Sequence, residues 1–275
     1  MTTLSSPRSA LPGFRLTLGI TLAWIGIIVL IPLLSLTLQP WTLGLKGIWA
    51  VMTDPRVLAA LRLSFGGALL AAAINLPLGL LIAWVMVRYR FPGRNLADSL
   101  IDLPLALPTA VAGIALTALF APQGWIGSWL VPMGVTVAYT PLGVIVALVF
   151  VGLPFVVRTL EPVLIDLPRE AEEAAATLGA TRVQTLWRVV FPALWPGLLA
   201  GFGAAFARGA GEYGSVIFIA GNMPMKSEIA PLLIVIKLEQ YDYAGAATMA
   251  LLMLIVSFSI LLALNLLQRR MRSRT

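Results

Sequence analysis

The sequence predicts an all-α, polytopic membrane protein with six transmembrane helices. Three observations carry that expectation. Of 275 residues, 59% are hydrophobic and 11% are charged, whereas about a quarter of a soluble globular chain is charged. The mean hydropathy of +0.94 agrees, because such a chain cannot cover itself with polar surface in water. Finally, six stretches reach the about 20 apolar residues that a helix needs to cross lipid, where backbone groups must be satisfied within the segment.

The first stretch covers residues 16–38 and follows Arg8 and Arg15. Its apolar run is too long for the core of a secretory signal and no small-residue cleavage site follows, so it reads as a retained helix. The second covers 63–87, contains Pro77 and Gly79, and has Arg62 near its outer end as an interfacial anchor. The third, 100–121, carries Asp102, Pro104 and Pro108; the fourth, 135–157, carries Pro154. The fifth, 193–220, holds Pro196 and, within the apolar run, Arg208 and Glu212; the sixth covers 244–267. Prolines are tolerated in such helices where neighbours satisfy the freed carbonyls. No internal repeat or inverted halves of the kind found in many secondary transporters are visible, and residues 1–275 read as one transmembrane domain.

Charge placement sets the topology. The N-terminus, the second-to-third loop (Arg88, Arg90, Arg94), the fourth-to-fifth loop (Arg158, Arg169, Arg182, Arg188) and the C-terminus (Arg269, Arg270, Arg272, Arg274) together hold thirteen basic residues. The opposite side holds five: Lys46, Arg56, Arg62, Lys226 and Lys237. Basic residues collect on the cytoplasmic side, so both termini are expected there. The formal charge of +7 is thereby explained as orientation charge, and nucleic-acid binding is not implied. With no Cys and no His, disulfide, thiolate-metal and His-based triad chemistry are excluded.

The loop 158–192 reads as a helix–turn–helix knob on the cytoplasmic side. Asp166 is a candidate cap before Pro168, and Glu170, Glu172 and Glu173 fall near the positive end of the following helix. Ala171, Ala174, Ala175 and Ala176 favour helix and leave a small-residue surface. Gly179 suits a left-handed C-terminal stop. Thr181-Arg182-Val183-Gln184 matches a capping box that starts a second helix through Trp187 toward Phe191-Pro192.

Glu173-Ala174-Ala175, three residues, Gly179, nine residues, Val189, one residue, Phe191-Pro192 resembles the EAA motif of ABC importer permeases, with Val189 and Phe191 in place of the commoner Ile and Leu. The resemblance implies a type I ABC importer permease fold in which the knob is a coupling helix fitting a groove on an ATPase subunit, through Glu173, Ala174, Ala175, Leu178, Gly179 and Pro192. The alternative is a solvated amphipathic loop without a partner. The run from Arg208 to Pro224, with its Gly211-Glu212-Tyr213-Gly214 core, together with Ser227 to Leu232 and Leu238 to Tyr243, is similar to the T subunit of sulfate/thiosulfate permeases. Related molybdate permeases share the Gly-Glu-aromatic-Gly core.

That likeness implies a permease subunit of an ATP-driven sulfate/thiosulfate importer in the bacterial inner membrane, working by alternating access. It further implies a homologous W subunit as heterodimer partner, two ATP-binding subunits and a periplasmic sulfate/thiosulfate-binding protein. The chain would bind no cofactor or metal and have no enzymatic site of its own: no lysine follows a glycine as a phosphate-binding loop requires, so ATP and Mg would be used by the partner. Arg208 and Glu212, spaced i, i+4, are expected to share a helix face and pair. With Tyr213 and Ser215 they are the candidate translocation pathway, the guanidinium suiting a tetrahedral oxyanion; a purely structural pair is the other reading. Gly197, Gly201, Ala205 and Gly209 form a small-residue face for close helix approach. Asn222-Met223-Pro224-Met225 reads as an outer turn. Two alternatives in function are a molybdate/tungstate permease and a stand-alone secondary anion transporter, although the latter needs a coupling-ion site and only Glu212 is a deep acid.

Overall fold

A computed structural model describes residues 14–272; Arg8 and Arg274, counted above in the basic flanks, lie outside the described residues. Every regular element among those residues is helical. In chain order they are α1 (Phe14–Ile25), a π turn (Gly26–Leu30), α2 (Ile31–Leu38), a 3-10 turn (Gln39–Leu43), α3 (Gly44–Thr53), α4 (Pro55–Arg88), α5 (Arg94–Ala106), α6 (Thr109–Phe120), α7 (Gly127–Leu130), a 3-10 turn (Val131–Met133), α8 (Pro141–Ile165), α9 (Arg169–Thr177), α10 (Arg182–Thr185), a π turn (Leu186–Val190), α11 (Phe191–Ala210), α12 (Val216–Ile219), α13 (Ala230–Glu239) and α14 (Tyr243–Arg272). Five helices are long and apolar enough to cross a membrane, and α5 with α6 makes a sixth if the pair counts as one broken span.

The core is the three-helix packing of α4, α8 and α11. α4 starts cleanly because Asp54 caps it, its Oδ1 accepting from the Arg56 N–H at 2.7 Å, and because Pro55 takes the first helical position. Val144, Ala147, Val156, Leu160 and Phe206 are fully buried between the three helices. The expected small-residue face holds: Gly197, Gly201, Ala205 and Gly209 are all buried, with Gly201 against Val156 of α8 and Gly209 against Ala68 of α4. Asn75, fully buried, pins α4 to α8 by donating from Nδ2 to the Val149 carbonyl at 3.1 Å. The most apolar windows of the first and last spans bury none of their residues within the chain, so those surfaces face lipid or another chain. Asp242 starts α14, accepting from the Gly245 N–H at 2.8 Å; a hydrogen bond from Lys237 and that N–H hold its carboxyl below the usual range.

Several spans depart from the sequence reading. The first helical stretch does not stop at residue 38 but continues as Leu16–Thr53. The third is not one continuous helix over 100–121: α5 and α6 meet at a bend of 110°. Pro108 is the reason, since proline offers no N–H and forces the preceding residue out of helix, and Leu107 is extended at φ −76°, ψ 137°. The fourth begins at Pro141 rather than 135 and reaches Ile165, so two turns placed in the 158–192 loop are helix. The fifth stops at Ala210, ten residues early, because Gly211 leaves helical geometry at φ −99°, ψ 8°. The second and sixth are longer at their ends than 63–87 and 244–267. Residues 222–225 are indeed a turn, with Asn222 at φ 51° and Met225 at φ 62°.

Candidate functional site

Two regions gather the residues singled out by sequence. The first is the knob. α9 does not take its cap from Asp166, which ends α8 instead; Pro168 occupies the N-cap position without a side-chain bond. Glu170 and Glu172 do lie in the first turn, where the helix dipole favours them. α9 closes with a full Schellman arrangement: the Ala180 N–H donates to the Ala175 carbonyl and the Gly179 N–H to the Ala176 carbonyl, each at 3.0 Å. That geometry needs Gly179 at φ 81°, which a residue with a Cβ adopts at a cost. The capping box follows as read: Gln184 N–H donates to Thr181 Oγ1 at 3.3 Å and Thr181 N–H to Gln184 Oε1 at 2.8 Å. From Arg182 the chain is helical without interruption to Ala210, so Pro192 lies in the first turn of α11 and does not end a loop helix. Glu173, Ala174, Leu178 and Gly179 are exposed, Leu178 at 88%, while Ala175 is half-buried. Exposed Val183, Leu186 and Trp187 extend an apolar surface beside them.

The second region lies inside the fifth span. Arg208 and Glu212 form an ion pair, although α11 has ended and Glu212 belongs to the turn that follows. The Glu212 side chain is 2% exposed and that of Arg208 30%. The same carboxylate accepts, at Oε1, from both the N–H and the Oγ of buried Ser215 at 2.9 Å. Ser215 is therefore part of the Glu212 setting, whereas Tyr213 packs half-buried against the core. This turn sits on the start of α6: a Cβ at Gly214 would overlap Thr109 Oγ1, and one at Gly113 would overlap the Ser215 carbonyl. Two interrupted helices thus meet beside the buried Glu212.

Sequence reasoning missed three ion-pair groups, because their partners are far apart in the chain. Arg56 grips Glu228 with two bonds of 2.7 and 2.6 Å, although Glu228 is 97% buried, and Ser64 Oγ accepts from the Ala230 N–H at 2.8 Å beside it. Arg158 joins Asp102, Asp98 and Glu161 at 2.6–2.8 Å, tying α5 to α8. Arg88 bonds Glu172 at 2.7 Å. Arg56, Arg88 and Arg158 read from sequence as topological charge; only the Arg158–Glu161 pair, three residues apart on α8, is local. Arg62, by contrast, is exposed and forms no ion pair among the described residues.

Residues 75–273 match the profile of the "binding-protein-dependent transport system inner membrane component" family. The chain belongs to that family. Among its relatives, the sulfate transport system permease protein CysT of Escherichia coli (strain K12) is 47% identical over 98% of this chain and 97% of its own length. CysT of Synechococcus elongatus is 50% identical over 90% of this chain and 89% of its own. The fold recurs in the crystal structure of a bacterial ABC transporter involved in import of the acidic polysaccharide alginate, with a TM-score of 0.76 over 94% of this chain and 95% of that one at 16% identity. It recurs again in the MetNI methionine ABC transporter at a TM-score of 0.59, covering 83% of this chain and 99% of that one at 19% identity. The fold is that of an ABC importer permease, and the protein is a multi-pass inner-membrane protein.

Proposed function

We propose that this family member is the sulfate permease subunit of an ATP-driven importer. The observation that carries the reading is the 47% identity, end to end, with a sulfate transport permease. Charge does not separate sulfate from molybdate, so the choice between these oxyanions rests on that relatedness. The subunit hydrolyses nothing itself. A separate ATP-binding subunit, using ATP and Mg, docks on the exposed face of α9 around Glu173, Ala174, Leu178 and Gly179, and the basic-residue imbalance puts that face and both termini in the cytoplasm. A homologous W subunit completes the transmembrane pair, with two ATPase subunits inside and a periplasmic sulfate/thiosulfate-binding protein outside.

The ion pair defines how the pathway meets its cargo. Glu212 is taken up by Arg208 and Ser215, which satisfies both of its oxygens within the span. Arg208 has more N–H donors than one carboxylate oxygen engages, and its partial exposure leaves them open to a passing oxyanion. Arg208 is therefore the residue that touches the cargo, and Glu212 and Ser215 hold it in place. Alternating access follows when nucleotide closure of the ATPases moves the knobs and the helix bundles rock. Uptake of labelled sulfate, thiosulfate and molybdate into vesicles carrying all subunits is the test: sulfate and thiosulfate enter only with ATP and the binding protein. Uptake driven by an ion gradient without nucleotide, or preferred uptake of molybdate, rules the reading out.

A further inference from the structure

Arg88 ends α4, and three contacts fix its guanidinium although its side chain is only 11% exposed. Nη2 donates to Glu172 Oε1 at 2.7 Å, and the same nitrogen reaches the Leu167 carbonyl at 3.5 Å. The guanidinium carbon lies 5.3 Å from the ring centroid of Trp84, one turn earlier on α4, a cation–π arrangement that holds the charge on its own helix. Glu172 belongs to the first turn of α9 and Leu167 to the link that leaves α8. One cation thus touches the end of α4, the link from α8 and the knob helix.

The remaining surroundings of α9 are open. It packs on α10 and the π turn that follow it in the chain. A cleft of about 410 Å³, lined by Trp84, Glu172, Ala176, Arg182, Leu186 and Val190, lies between α9 and α4. A helix across a cleft from a span does not push it by close packing. The helix that continues from Arg182 carries displacement to α11; displacement toward α4 passes through whatever bridges the gap, and here the bridge is a short, charge-assisted bond whose Arg88 end is 11% and whose Glu172 end is 31% exposed.

We propose that Arg88 is a positioning residue that, through Glu172, makes α9 and α4 move as one piece and so carries the displacement of the knob into the α4–α8–α11 core. The pair stays closed through the transport cycle. The inference rests on the reading of α9 as the ATPase-docking helix.

The test uses the complete transporter in proteoliposomes and reads sulfate moved per ATP hydrolysed. Arg88→Gln and Glu172→Gln each lower that ratio about tenfold, a typical coupling between sites, while the ATPase subunit still co-purifies. Arg88→Glu combined with Glu172→Arg restores the ratio. An unchanged ratio in both single variants, or a swap no better than either, overturns the proposal. Because the chain has no cysteine, Arg88→Cys with Glu172→Cys gives a second measurement independent of charge. That double variant is uncoupled until a short bismaleimide joins the two thiols, and joining them restores uptake. A joined transporter that stays uncoupled or is arrested overturns it equally. Failure of the underlying reading looks different: the ATPase then does not co-purify with the unaltered chain at all.

Discussion

Glu212 shows how a single acidic side chain finds its partners inside an apolar stretch. It lies just past the last turn of α11, yet it holds Arg208 with one oxygen and two Ser215 donors with the other. Removing one member of a buried pair leaves its partner charged and unsatisfied, at a cost of about 3–5 kcal/mol. Arg208 is 30% exposed, so solvent offsets part of that penalty: Glu212→Ala is expected to destabilise the subunit by less than this amount but by more than Ser215→Ala, which costs about 1 kcal/mol by loss of one hydroxyl bond, each seen as a lowered unfolding midpoint in detergent. Equal losses in the two variants contradict the arrangement. The spacing of Arg208 and Glu212 made their pairing legible. The helix end between them was not, because a Gly-rich run inside an apolar stretch looks the same whether it continues a helix or ends one. Ser215 is legible only as a pathway candidate; its two bonds to Glu212 are not, because they depend on where the turn points its N–H.

At the scale of elements, local rules served well where the chain is self-contained. The knob is such a case: Gly179 stops α9 and Thr181 with Gln184 starts α10, each by contacts within a few residues. Thr181→Ala removes one reciprocal cap and should cost about 1 kcal/mol of local helix stability, measurable as faster amide exchange over residues 182–185 with exchange in α8 unchanged. Elements set by tertiary packing were harder to foresee. Pro104 and Pro108 both sit in the third apolar stretch, yet α5 runs through Pro104 and breaks before Pro108. Proline weakens helix at either place; the break falls at Pro108, where α6 also packs closely on the 212–216 turn. The clusters around Arg158 and Arg56 depend on chain separations of 56–60 and 172 residues, which no periodicity in a single sequence reports.

For the whole molecule, composition was decisive. Apolar content and six long stretches prescribed a helical membrane bundle, and the family match and shared fold agree with it. Orientation is checkable directly. In this cysteine-free chain, Leu178→Cys on the knob should react with an impermeant maleimide only in inside-out vesicles, and Met225→Cys on the opposite turn only in right-side-out ones. Both positions are well exposed, at 88% and 60%, so labelling in the reverse pattern inverts the proposed topology. The α4 helix links these two faces: Arg56 holds the loop that follows Met225, and Arg88 holds the knob.

The neutrality of the Arg208–Glu212 pair bears on energetics of another kind. An electric potential across the bilayer does about 2.3 kcal/mol of work per elementary charge per 100 mV. On two opposite charges that shift together, that work cancels. In the proposed transport cycle the pair itself then adds almost no voltage dependence, and the electrical work of moving a dianion falls on the cargo.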